Sequence, residues 1–145
     1  MKSLYILLVT VFFPISAMAQ DREPLVVMEA HGVTMAEFLW IKRPVLVFAD
    51  SPNDPAFARQ LELLSEDAAA LAERDVVVIV DTKADPISFF RKKLRPRGFS
   101  LVLLDKDGEV EIRKPRPWDV REITRAIDKF PLARQELLEK YPSGR

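Results

Sequence analysis

The sequence predicts an α/β fold built on a central mixed sheet with flanking helices, and three observations carry that prediction. "PVLVFA" at 44–49 and "VVVIV" at 76–80 are short, unbroken apolar runs rich in β-branched residues. Such runs read as strands covered on both faces, the habit of parallel sheets. An amphipathic stretch of helical period separates the two. After them, "SLVLL" and the alternating "EVEIR" flank "DKDG" at 105–108, the pattern of a hairpin in which Gly108 supplies a positive φ.

Taken in order, "DREPLVVMEAHG" is mixed and reads as extended chain. In "TMAEFLWIK", Thr34 and Glu37 stand at capping-box spacing, and Met35, Phe38 and Leu39 face one way, so a short helix is expected. Between the two apolar runs, Phe57, Leu61, Leu64, Ala68 and Leu71 recur at helical spacing and predict one amphipathic crossover helix. Strand, helix and strand then form a right-handed unit. A second helix is expected over Ile87 to Leu94, leading through "RPRG" to the hairpin. Asp119 and Glu122 repeat the capping-box spacing and start "VREITRAIDKF"; Pro131 ends that helix, and "LARQELLEKY" continues as a terminal helical segment.

The N-terminus reads as an address. Lys2 supplies a positive charge, Leu4 to Phe13 an apolar stretch, and Ala17 and Ala19 a small-residue cleavage site before Gln20. The stretch is shorter than the roughly 20 residues a membrane span needs, so no stable membrane insertion is expected. The expected product is periplasmic or secreted. The remaining length suits one domain, which buries roughly two thirds of its unfolded surface without staples. With 22 Lys and Arg against 22 Asp and Glu, a general nucleic-acid binder is not expected. The chain has no cysteine, which excludes disulfides and any cysteine redox cycle. A single histidine, His31, argues against a histidine-built metal site. No metal or other cofactor is expected.

The element order is β-α-β-α-β-β-α, two parallel strands followed by a hairpin. That order and spacing resemble the thioredoxin fold. "RDVVVIVDT", "FSLVLLDKDGEVEIRK" and "AIDKFPLARQELLEK" together are similar to P-DUDES, a peroxiredoxin-like thioredoxin-superfamily domain of unknown function found in bacterial secreted proteins. The resemblance runs from about Pro44 to Tyr141. With the N-terminal reading, the expected division is a signal peptide (1–19), an N-terminal extension with a short helix (20–43) and a thioredoxin-like domain (44–145).

Where such a domain carries Cys-x-x-Cys, this chain has Ser51, Pro52, Asn53 and Asp54. Thiol exchange needs a thiolate, and a serine hydroxyl has no comparable acidity or redox couple. The position of the family's cis-proline falls on Ser100, where a cis bond would cost roughly 3 kcal/mol, so a trans Phe99–Ser100 bond is expected. No thiol oxidoreductase or peroxidase activity is expected. A hydrolytic reading, with Ser51 as nucleophile and Asp50 or His31 as base, lacks a glycine-flanked elbow and a positioned partner. Capping explains much of the loop: Asp54 as N-cap with Pro55 at the first helical position.

The fold analogy places a candidate binding edge at the carboxyl ends of the parallel strands. It comprises Ser51, Asn53, Asp54, Thr82 and Ser100, with Lys83 and Arg97 at its border, all exposed. Arg97 and Lys83 could hold a carboxylate or phosphate there; Asp50, Asp81 and Asp85 oppose this and could instead hold a hard cation. The basic run "RKKLRPRG" otherwise reads as a solvated helix end. Trp118, in "KPRPWD", is expected to pack under the last helix, on a loop opposite the edge. The function expected is a non-redox binding module for an unknown protein or small-molecule ligand. The alternative is an enzyme with non-thiol chemistry at the same edge.

Overall fold

The computed structural model describes residues 24–142. The expected signal peptide and its cleavage site lie outside the described residues. Five strands form one sheet: β1 (Val26–Glu29), β2 (Arg43–Phe48), β3 (Val76–Asp81), β4 (Ser100–Leu104) and β5 (Val110–Lys114), in the order β1-β3-β2-β4-β5. β1, β3 and β2 are parallel, whereas β4 is antiparallel to both β2 and β5. The helices are α1 (Pro55–Glu66), α2 (Ala68–Ala72), α3 (Phe89–Leu94), α4 (Val120–Ile127) and α5 (Pro131–Lys140), with a 3-10 turn at Met35–Glu37.

The two central strands are buried along their whole length, as their unbroken apolar runs require. Alternate side chains divide between two cores. Val45, Val47, Val78 and Leu103 meet α1, α2 and α4 through Phe57, Leu64, Leu71 and Ile123. Leu46, Phe48, Ile79 and Val102 meet Phe90 and Leu94 of α3 and Met35 and Phe38 of the 3-10 turn. Each fully buried aliphatic side chain contributes about 1.5–3 kcal/mol, which makes these cores the main source of stability.

Three elements differ from expectation. The single crossover helix is two helices, because Asp67 leaves helical angles (φ −146°, ψ 64°) and its carboxylate accepts from Ala70 N–H. A side chain that offers the backbone a local partner competes with helix continuation, and here it wins without turning Leu71 off the buried face. The segment "LVVMEA" is a third parallel strand, pairing Val26–Glu29 with Val77–Val80 on the free edge of β3. The residues expected to form an N-terminal extension thus supply a strand and three core side chains, Ala30, Met35 and Phe38, and the expected boundary at 43–44 falls inside β2. Finally, α3 begins at Phe89, with Ser88 as its cap.

The hairpin forms as the sequence predicts. Gly108 has φ 82°, which favours glycine, and an added Cβ would press on the Met35 side chain at 3.2 Å from its Cγ. Trp118 is half-buried against the α4 side of the core, and Gln60 of α1 bonds both backbone groups of that residue. Its loop is not opposite the candidate edge. β5 runs in the same direction as β2, so the chain leaves both strands at the same end of the sheet. That end is called upper below.

Candidate functional site

The upper end is built by the loops that leave β2 and β3. Ala49 N–H donates to the Asp81 carbonyl, which holds the two exits side by side. Asp54 caps α1 by accepting from Ala56 N–H at 2.8 Å, with Pro55 at the first helical position. The Ser51 hydroxyl accepts from Asn53 N–H at 3.1 Å. Two of the four turn side chains are thus spent on backbone that would otherwise lack a partner.

Beneath the turn lies a buried polar network. Asp81, the last residue of β3, is fully buried, and Arg91 of α3 is 7% exposed. The Arg91 guanidinium donates to Asp81 Oδ1 at 3.1 and 3.2 Å, to the Ala49 carbonyl at 2.9 Å and to the Asp81 carbonyl at 3.0 Å. Its carbon stands 5.6 Å from the Phe48 ring centroid. The Ser88 hydroxyl donates to Asp81 Oδ2 and accepts from Arg91 N–H, and Lys83 N–H donates to Asp81 Oδ1. One arginine therefore closes the ends of both central strands against α3. The reading of "RKKLRPRG" as a solvated helix end fails for its first residue, because a helical turn packed on the sheet aims Arg91 inward while Lys92 and Lys93 remain exposed.

The candidate residues separate on this frame. Asn53, Lys83 and Arg97 are exposed, and Ser51, Asp54 and Thr82 are half-buried. Ser100 is buried at 6% exposure, which corrects the expectation of an exposed side chain. Its register opposite Phe48 places it under the α3 face of the sheet. The Phe99–Ser100 bond is trans, as expected; the cis bond among the described residues is Asp85–Pro86. Arg97 and Ser100 share the wall of one cavity with Arg95, Phe99, Arg113 and Pro115, whereas Ser51, Asn53, Thr82 and Lys83 line none of the four main cavities. The structure thus brings Arg97 and Ser100 together and leaves the turn residues on an open surface above them.

No nucleophile and base are paired here. His31 donates from Nε2 to the Pro86 carbonyl at 2.8 Å, and Asp54 is occupied by its cap. Asp81 is engaged by Arg91, Ser88 and Lys83, and among the described residues no group of three His, Asp or Glu side chains could hold a metal. The groups with displaced pKa values lie elsewhere. Burial opposes the charge of Lys106, but hydrogen bonds to Asp75 and Glu136 more than offset it and raise its pKa. A hydrogen bond to Asp128 raises that of Arg74. Burial, with the charges of Asp105, Asp107 and Glu109, pushes Glu111 up.

Residues 34–136 match the model of a family described as a domain of unknown function, DUF4174. The chain belongs to that family. The fold of this DUF4174 domain is also that of peroxiredoxins. It is similar to the reduced 2-Cys peroxiredoxin of Plasmodium vivax (TM-score 0.57, 17% identity), over 72% of this chain and 85% of that one. It also matches a chloroplastic thioredoxin z (TM-score 0.49, 19% identity), over 72% and 94% of the two chains. Thioredoxin peroxidase I of Plasmodium yoelii matches at TM-score 0.47 and 19% identity, over 78% and 83%. At such identities the likeness shows the fold alone.

Sequence reasoning missed the Asp81–Arg91–Ser88 network. The available signal was Asp81 itself, an acid ending an otherwise wholly apolar strand, which needs a cation or donors if it is buried.

Proposed function

We propose that this DUF4174 domain is a non-redox binding module of the P-DUDES type, exported to the periplasm or secreted after cleavage behind Ala19, and that it binds through the upper edge. The observation that carries the reading is the edge itself. The whole chain lacks cysteine, the turn that would hold a thiol pair is spent on capping, and a satisfied network fills the space beneath it. What remains at the surface is shallow and mixed: the Asn53 amide, the Thr82 hydroxyl and the Lys83 ammonium. Such a surface suits contact with a partner better than enclosure of a substrate. The enzymatic alternative finds no nucleophile paired with a base among the described residues.

The test is capture of partners from periplasmic extract by the exported protein and by Asn53→Ala/Thr82→Ala. The expected outcome is loss of at least one partner in the variant, by about tenfold or more if either residue is a hot spot. Identical partner lists for the two proteins would overturn the edge as the binding surface. Intact-mass analysis of the exported form checks the cleavage; a form retaining Lys2 in the membrane fraction would overturn the cleaved, soluble reading.

A further inference from the structure

The basic loop after α3 adds a site that the turn residues do not share. Arg95 and Gly98 both adopt left-handed backbone (φ 47° and 57°), and Pro96 stands between them, so "RPRG" is a fixed turn rather than a loose tail. It sets Arg95 and Arg97 beside Arg113 of β5, whose register opposite Val102 puts it on the α3 side of the sheet. Together with Phe99, Ser100 and Pro115 they line a cavity of about 320 Å³ that contains no carboxylate. None of the three guanidinium groups has a hydrogen-bond or ion-pair partner among the described residues, and Ser100, 6% exposed, lines the same cavity.

Three like charges in one concavity repel one another, and low-dielectric walls strengthen their common field. A planar fork matched to oxyanions is the geometry each of them offers. Ser100 adds a donor at the floor, and half-buried Phe99 with Pro115 adds an apolar wall. We infer that this cavity binds a small organic phosphate, its oxyanion held by Arg95, Arg97, Arg113 and Ser100 and its organic body lying on Phe99. The inference rests on the binding-module reading and names a ligand class for the α3 side of the same edge.

Phenyl phosphate, titrated calorimetrically into the exported protein, is the first probe. Saturable one-to-one binding is expected, weakened about tenfold or more by Arg97→Ala or Arg113→Ala and less by Ser100→Ala. Lys92→Ala/Lys93→Ala, which removes two charges outside the cavity, should leave it unchanged. Benzoate should bind at least about tenfold more weakly, since a carboxylate engages fewer forks. Vesicles containing phosphatidic acid, tested with and without phenyl phosphate, separate the sources: no vesicle binding identifies a soluble ester, and competitive binding identifies a lipid headgroup. Absence of saturable binding, equal binding of benzoate, or equal losses in the lysine and arginine variants would each overturn the inference. Loss of captured partners in Asn53→Ala/Thr82→Ala alongside any of these failures would leave the binding-module reading standing. Saturable phenyl phosphate binding with unchanged partner lists would sink the turn surface and leave the phosphate site.

Discussion

Each end of the sheet carries a buried arginine–aspartate pair, yet the two ends are built to different degrees of closure. At the upper end Arg91 and Asp81 expose 8% and 1% of their side chains, and every partner they have is a strand end, the Ser88 hydroxyl or the Lys83 amide. At the lower end Arg43, first residue of β2, bonds Asp105, which follows β4, with 2% and 1% exposed. That pair then opens outward. Arg43 also bonds Glu136 of α5, which is 42% exposed, and Lys106 joins Glu136 to Asp75. The Leu132 amide donates to Asp105, so polar contacts help dock α5, which has no buried residue of its own and sets half-buried Ala133 against the core. A cavity of about 940 Å³ lies between α5 and the start of β3, bordered by Arg74, Glu136 and Tyr141.

The contrast shows that the end of the sheet that carries the Ser51–Asp54 turn is the sealed one here. A buried ion pair costs desolvation at both partners and is tolerated only when every remaining hydrogen-bonding site is filled. At the upper end they are filled, which holds two strands and α3 in fixed register under the turn. At the lower end solvent screens part of the network, so it can change without touching the core.

The largest effect should come from breaking the sealed pair. Arg91→Met leaves the Asp81 carboxylate buried without its cation, and unfolding in denaturant should lose about 3–5 kcal/mol. Asp81→Leu combined with Arg91→Met should cost less than the two single losses added together, because no charge is then left buried alone. A loss below about 1 kcal/mol in Arg91→Met would mean that the upper end is not closed by this pair.

The half-open network should respond weakly. Glu136→Ala should lower global stability by about 0–1 kcal/mol, while hydrogen exchange in α5 accelerates and that in β2 and β3 does not. Equal acceleration in the sheet would erase the difference between the two ends. High salt should weaken the wild type toward the Glu136→Ala level, since exposed pairs are screened.

Lys106 gives the lower end a pH signature. Its folded pKa is raised above the unfolded value, so the native state holds the proton more tightly. The stabilisation is therefore fully present below the unfolded lysine value and is lost as pH rises through the folded one. Unfolding measured across the alkaline range should fall more steeply for wild type than for Lys106→Met. Parallel curves would show that the ammonium contributes nothing to docking α5.

The smallest effects belong to the surface above the sealed pair. Asn53→Ala and Thr82→Ala should each alter stability by less than about 0.5 kcal/mol, read in the same melts. A larger loss at either residue would make it part of the structure rather than a free contact surface.

The sequence by itself determined the elements whose signals are local. The apolar runs of β2 and β3 follow from burial on both faces, the Asp54 and Asp119 caps from a short acceptor before a helical run, and the hairpin from Gly108 in a turn between two strand patterns. The absence of cysteine is read from the list of residues alone. Tertiary structure alone decided what depends on which strand lies beside which. β1 carries exposed Val26 and Val27 and no clear alternation, so only the free edge of β3 makes it a strand. Arg43 and Asp105 are 62 positions apart, and Arg91 stands in a basic run beside two lysines that face water. Ser100 looks like a loop residue until register sets it opposite Phe48. The physical reason is common to all of these. A backbone cap or an apolar period is satisfied by neighbours in the chain, whereas a charge or hydroxyl is buried or exposed according to partners that the packed sheet brings to it.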